Sequence, residues 1–548
     1  MQSRKFTGDI LCVLLILAGE ILFFHNILFN DSLIGYRIDG RLVTFLTEHW
    51  YEVFQGRELW TELPCFYPAD HVLAYSDMML LFAFPYCLLR ILGSDMYTAL
   101  KMTAIFFHVL GSCQLYYFMR KYVKTPNVVS LFTVICFSFS NGYNFISGNI
   151  QMFTLSLLPM LLILFGFYMK NLKSRRRHIA AIACVVWLSL LFYTAFYVGY
   201  FVCLFLGIMI LTGLVSYVIF CKQPWMRERS KNFFQHWKEH ICYLLLFVLL
   251  MLPFVYIYLP ALKSFGGREW EDVLTMFPTW RNICMLNEKS EDLAGFNPEI
   301  YNYKTGFPLI DLAIYGLLGI WLFRVLVKKI KEDRFQIKDY LLFWGLLTVV
   351  ISFLLIIKVK GITLWWLVYH FIPGASAIRA VIRWLNFISL PMAILFGGMM
   401  AYLIKGKKQW MQYLIVAGIS SILFCSNYCV TGIASGWSVS EELSFEENVA
   451  SPPDDCKILC VVDLGKTTNV ASQELQMDAW AIALKYHLKT VNGYSGQQPE
   501  GWNIQNLQDA DVGREVWKWL EINHRSVKGV YLYDIGMDKW EKLEDELR

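Results

Sequence analysis

Three groups of side chains in this sequence could do chemistry, and the first centres on a carboxylate. Asp39 stands in the stretch G-Y-R-I-D-G-R, with Arg37 and Arg41 two positions to either side and Gly35 and Gly40 close by. The glycines permit a tight backbone path, and the arginines could hold either the carboxylate or an anionic ligand. The plainer role for Asp39 is to cap a helix that begins at Arg41. Far down the chain, F-I-P-G-A-S-A-I-R-A-V-I-R-W carries Arg379 and Arg383. Four apart, they share one face of a helix entered through Pro373-Gly374, and the guanidinium fork matches phosphate oxygens bidentately. The plainer role is to anchor the outer end of a span by reaching lipid headgroups. His370 and Lys360 are weaker adjuncts to this group. The third group is Tyr67, Asp70, His71 and Asp77, which would bind an acceptor or a cation, with Asp77 otherwise capping the next helix. Most of the 14 cysteines, Cys12, Cys87 and Cys136 among them, lie in apolar runs and behave as small hydrophobes. No CxxC pair or Cys/His ligand spacing points to a metal centre.

The elements that must position these residues are membrane helices. With 548 residues, 56% apolar, 16% aromatic and 17% charged, the chain is a polytopic membrane protein. The run 9–29 has about the ~20 residues needed to cross a bilayer and no small-x-small cleavage site after it, so it reads as a retained first span. Further spans are expected near 97–119, 127–142, 149–169, 178–196, 198–220, 241–260, 306–327, 338–357, 384–404 and 410–430, eleven in all. The run 78–92 is short, holds Pro85 and ends with Arg90. If it crossed, the cluster Arg120, Lys121, Lys124 would fall outside and every later loop would invert. As a juxtamembrane helix it leaves all the basic clusters inside. The segments 30–96, 261–305 and 358–383 then lie outside, as does everything after 430. Glu20 and His25 fall within the first span, where ionisable groups usually face protein or a water-filled cavity.

After Val430, residues 431–456 are polar and acidic and contain Pro452-Pro453, the pattern of a linker. Residues 457–548 then alternate strand and helix patterns: K-I-L-C-V-V-D-L, an amphipathic helix from Ser472, a second helix over D-V-G-R-E-V-W-K-W-L-E-I-N-H, and V-K-G-V-Y-L-Y-D-I. A small α/β domain is expected there. The block V-N-G-Y-S-G-Q-Q-P at 491–499 is turn-rich and would either build a loop or lie over the membrane part and bind acceptor.

A first span, an outer loop opening on an acid, the aromatic W-Y-E-V-F-Q-G-R-E-L-W, then F-Y-P-A-D and a short interfacial helix resemble the GT-C class of membrane glycosyltransferases, and within it the bacterial YfhO-like set. F-I-P-G-A-S-A-I-R-A-V-I-R-W and V-N-G-Y-S-G-Q-Q-P are similar to that set as well. The resemblance implies a GT-C-like transmembrane domain over 1–430, with its catalytic loop at 30–96, and gives Asp39 the role of catalytic base or acceptor-orienting residue. Ile38 and Gly40 flank Asp39, so the paired acids some members carry are absent and metal dependence stays open: no cofactor is expected, with a divalent cation as the alternative.

On that footing the expected activity is inverting transfer of a sugar from a polyprenyl phosphate to a glycan, lipid or protein acceptor at the outer face of the bacterial cytoplasmic membrane, with the C-terminal domain extracytoplasmic and no nucleic-acid partner. A base removes the acceptor proton, typically worth ~10²–10⁴-fold, while Arg379, Arg383 and His370 hold the departing phosphate. The rival readings are a transporter or flippase of lipid-linked oligosaccharide and a catalytically inactive GT-C-like scaffold. Transporters place ionisable residues at the bilayer midplane and often repeat their halves; here the charges gather at one face and no repeat appears.

Overall fold

The computed structural model describes residues 2–146, 148–220, 223, 235–278, 283–284, 306–332, 334–428, 436–466, 468 and 470–546. Long apolar runs become helices because, away from water, each backbone N–H and C=O must bond within its own segment. The first half contains α1 Gln2–Phe23, α2 His25–Leu28, α3 Arg37–Phe54, α4 Leu80–Ile91, α5 Met96–Phe118, α6 Asn127–Ser138, α7 Asn141–Ile146, α8 Leu158–Lys170, α9 Arg176–Phe192 and α10 Phe196–Phe220. There follow α11 Trp237–Phe265, α12 Trp270–Thr275, α13 Leu309–Lys331, α14 Ile337–Leu354, a hairpin of β1 Lys358–Val359 and β2 Ile362–Thr363, α15 Trp365–Phe371, α16 Arg383–Leu403 and α17 Gln409–Tyr428. Most of the expected outer loop 261–305 lies outside the described residues, including Y-N-Y-K-T at 301–305.

Eight helical stretches among the described residues are long and apolar enough to cross a membrane: Met96–Val123, Ile150–Lys170, Phe196–Phe220, Trp237–Ser264, Leu309–Lys331, Ile337–Leu354, Arg383–Leu403 and Gln409–Asn427. The other three of the eleven expected spans correspond to α1, the 12-residue α6 and the 17-residue α9. Arg383–Leu403 is the most enclosed of the eight, with 78% of its apolar window buried, and Trp237–Ser264 the least, with 11%. The bundle is therefore built around α16, with α11 at its rim. At 12 residues α4 is about 18 Å long, well short of the ~30 Å hydrocarbon core. It packs between α3 and α5, and Arg90 ties it to α3, its Nη2 lying 2.8 Å from the buried Glu48 carboxylate.

α3 begins at Arg37, with Tyr36 in the capping position, and not at Arg41. Asp39 is consequently in the first turn and caps nothing, a place where a carboxylate complements the helix dipole.

The stretch expected to be a linker holds α18, Val439–Asn448, started by a capping box between Ser438 and Glu441. Beyond it come β3 Ile458–Val462, α19 Ser472–Tyr486, β4 Lys489–Thr490, α20 Val512–Ile522, β5 Val530–Asp534, β6 Lys539–Lys542 and α21 Leu543–Glu546. The sheet order is β4-β3-β5-β6, parallel except for β6, with Leu459 opposite both Thr490 and Tyr531. Every residue of β3 and β5 is buried, the mark of strands covered on both faces.

This C-terminal layer is fastened to the loop that carries Asp39. Pro64 accepts from Thr490 N at 2.8 Å, Phe66 N donates to Asn492 O at 2.8 Å and Tyr67 N to Thr490 O at 2.9 Å, so residues 64–67 border the β4 edge. Across α3, Arg41 Nη1 lies 2.6 Å from Asp478 Oδ1 on α19 and its Nε 3.1 Å from Glu442 on α18. Arg37 pairs with Glu442 at 2.7 Å and Glu474 at 3.0 Å. Both arginines are thus taken by the C-terminal layer, and neither holds the Asp39 carboxylate.

Candidate active site

Three apolar helical stretches start at one place. Asn149 directly precedes Ile150–Lys170, Phe196 opens α10 and Arg383 opens α16. Helix N-termini carry partial positive charge and unpaired N–H groups, and two acids stand against them. Asp77 Oδ1 accepts from Phe196 N at 2.9 Å. It therefore serves the start of α10, not that of α4, whose capping position belongs to Met79. Asp39 is the other acid.

Asn149 ties Asp39 to Arg383. Its Nδ2 donates to Asp39 Oδ2 at 3.1 Å, and its Oδ1 accepts from Arg383 Nη2 at 3.2 Å. The amide orientation follows from its partners, since an arginine only donates and a carboxylate only accepts. The Arg383 guanidinium lies over the Tyr197 ring, 5.0 Å from its centroid. The Tyr197 hydroxyl in turn accepts from the backbone N–H of Arg379 at 2.9 Å and of Ala380 at 3.2 Å. One tyrosine fixes both the cation and the strap leading to it.

Burial holds the half-buried Asp39 carboxyl above its ordinary range, against the opposing pull of the Arg383 charge and the Asn149 hydrogen bond. Asp77 is likewise raised by burial, against the Phe196 N–H and Arg383. From the C-terminal layer Tyr494 faces the same carboxylate; burial, and then the Asp39 charge, push its hydroxyl up to about 12. The loop carrying Tyr494 is pinned at three points: Gly493 N donates to Gln476 Oε1 at 2.9 Å, Ser495 Oγ to Tyr75 O at 2.5 Å, and Arg268 Nη2 to Gly496 O at 2.7 Å. Gly493 is required for this approach, since a Cβ there would lie 2.5 Å from the Phe66 ring.

The other expected site residues are placed elsewhere. Arg379 and Arg383 do not share a helix face, because α16 begins only at Arg383 and Arg379 lies in the irregular strap before it. The Arg379 side chain turns to Asp272 on α12, at 3.3 Å. His370 is exposed on α15, its Nδ1 3.0 Å from Trp366 O. Tyr67 gives its carbonyl to Trp519 Nε1 at 2.8 Å, Asp70 is exposed, and His71 packs edge-on against Tyr256. None of these has a described contact with Asp39, Asn149 or Arg383. Asn149 and Tyr197 escape a reading of the sequence because a lone asparagine or tyrosine at a span boundary is common. Among the described residues no three His, Cys, Asp or Glu side chains converge as metal ligands.

What the arrangement can do is set by its charges. A carboxylate biased toward holding a proton, bridged by one amide to a guanidinium, offers a base and an anion holder side by side at the mouths of three helices.

No protein-family model matches the chain, and a search of curated proteins finds no match. Among solved structures it is similar to the oligosaccharyltransferase of Archaeoglobus fulgidus, crystallised with zinc and sulfate, at 13% identity and a TM-score of 0.45, over 96% of this chain and 67% of that one.

Proposed function

We propose that the chain is an inverting glycosyltransferase that moves a sugar from a polyprenyl-phosphate donor to a glycan, lipid or protein acceptor. The observation that carries this reading is the Arg383–Asn149–Asp39 bridge. Asp39 takes the proton of the acceptor hydroxyl as its oxygen forms a bond to the anomeric carbon. The bond from that carbon to the phosphate oxygen breaks, and its electron pair leaves on the phosphate, whose charge Arg383 and the nearby helix N-termini stabilise. A single displacement inverts the anomeric configuration and needs no covalent sugar-enzyme intermediate. No cofactor is part of this proposal.

The reaction belongs at the outer membrane face of a bacterial cytoplasmic membrane, with eleven spans and an extracytoplasmic C-terminal domain. Supporting that side, the basic residues Arg120 and Lys121 follow the end of α5, and α8 and α13 end in Lys170 and in Lys328, Lys329 and Lys331, the opposite end from Asn149 and Arg383.

Asp39→Asn tests the chemistry. The asparagine keeps an oxygen for Asn149 and nearly the same size, but accepts no proton. Turnover of a labelled polyprenyl-phosphate sugar should fall by roughly the ~10²–10⁴-fold that general-base assistance supplies, with donor binding retained. Normal turnover would sink the mechanism.

A further inference from the structure

Between α14 and α16 the chain forms a hairpin, β1 and β2, antiparallel with Val359 opposite Ile362, and then the seven-residue α15. From Gly361 to Ile378 the sequence holds no Asp, Glu, Lys or Arg. One face of this segment packs inward, where Thr363, Trp365, Val368 and Ala375 are buried. The opposite face is just as apolar and is bare: Ile362 is 79% exposed, Phe371 68% and Val359 61%, with Leu364, Leu367 and Ile372 beside them. A loop facing water would carry polar groups on that side, and contiguous bare apolar surface of this kind marks an interaction site.

The occupant follows from what adjoins the patch. α14 ends at Leu354 with Val350 and Leu354 exposed, and α14 and α16 are both candidate membrane spans. The bare face therefore continues the apolar outer surface of a candidate span. α15 is too short to cross, since seven residues reach only about 10 Å. Trp366 is exposed on the same segment, Lys360 is exposed at the hairpin turn, and His370 packs tilted against Trp366 with ring centroids 4.3 Å apart; aromatic rings and cations of this sort settle at headgroup level. Inward, Tyr369 donates to Arg268 O at 2.7 Å, which sets the tilt of α15.

The geometry points to residues 359–372 as an in-plane lip, lying in the bilayer interface at the end of the molecule that carries Asp39, with its bare face among lipid acyl chains. Lipid is the partner of this face, and the inference rests on surface chemistry alone, independent of sugar transfer. It also moves His370 from the donor phosphate to the headgroup layer.

Photo-crosslinking the full chain in nanodiscs of phosphatidylethanolamine and phosphatidylglycerol tests it. The photoreactive p-benzoylphenylalanine replaces Ile362 or Phe371, with Leu214 on the exposed face of α10 as the lipid control and Glu500 in the C-terminal layer as the aqueous control. Phospholipid adducts at 362 and 371, as at 214 and unlike 500, are expected by mass spectrometry of the irradiated chain. Absence of adducts at both positions while 214 reacts would place the lip in water. Crosslinked dimers in place of lipid adducts would give the face to a second copy of the chain. Either result overturns the inference.

Discussion

Replacing Arg41 by methionine tests what holds the C-terminal layer on α3. The Arg41 side chain is 1% exposed and its nearest partner, Asp478, 6%. Its guanidinium lies 5.7 Å from the Phe45 ring centroid and 5.6 Å from that of Phe445, a slot that a methionine fills with apolar contact. The substitution therefore removes charge with little loss of packing. Breaking a buried pair by deleting one partner costs ~3–5 kcal/mol, because the remaining charge is stranded. Arg37 still pairs with Glu442, so the stranded group is chiefly Asp478, and the lower end, ~3 kcal/mol, is expected. At ~1.4 kcal/mol per factor of ten, amide protons of α19 that exchange through undocking should lose about a hundredfold of protection in reconstituted protein. Arg41→Met with Asp478→Leu removes both charges and should recover much of it. Unchanged protection in the single variant, or a double variant less protected than the single, would refute this account.

Two further predictions concern pH and charge. In the proposed mechanism Asp39 acts as base only when ionised, and burial raises its carboxyl above the ordinary range, so kcat/KM should rise with pH through a limb above the usual carboxylate value. Arg383 pulls that carboxyl down; in Arg383→Gln the limb should move to higher pH and donor binding should weaken, and an unmoved limb with unchanged donor affinity would separate Arg383 from Asp39. On α18, Glu446 accepts a hydrogen bond from Tyr97 at 2.6 Å, and burial pushes its carboxyl up to about 7. A carboxyl raised by folding favours the native state most when protonated. Its contribution is present below the unfolded value near ~4.3 and lost as pH rises through about 7. Glu446→Gln should flatten that part of the stability profile in thermal unfolding scans, and an unaltered slope would count against it.

Apolar runs announce helices whatever packs on them, and so the sequence reading places the eight candidate spans among the described residues within a few residues. It fails where a helix start is decided by tertiary contacts. Nothing local distinguishes Arg37 from Arg41 as the beginning of α3, and nothing local delays α16 to Arg383, because the segments before those ends are held by Trp437 and Tyr197 from other parts of the chain. The linker pattern of 431–456 is equally misleading: polar, acidic residues are what a short helix needs when its buried face meets arginines, as Glu442 does. At the site, Asp39 and Arg383 are legible as charges in a greasy chain. Asn149, which joins them, carries no such signal.

Arg37 and Arg41 illustrate why neighbours in sequence mislead. Residues i and i+4 of a helix share a face, whereas i and i+2 do not face each other. Once α3 starts at Arg37, the two arginines point together at α18 and α19 while Asp39, between them, points the opposite way, at Asn149. One helical turn thereby fastens the C-terminal layer with one face and presents the acid with the other. The same turn explains why the acid is single. A Cβ at Gly40 would lie 2.3 Å from the Trp437 ring, and Trp437 is itself fixed by donating to Ile34 O and by accepting from Leu33 N. On the other side Ile38 packs against the apolar core. Position 40 has no room for a second carboxylate and position 38 is turned to the core, so this turn presents one acid, Asp39, joined to the Arg383 guanidinium through Asn149.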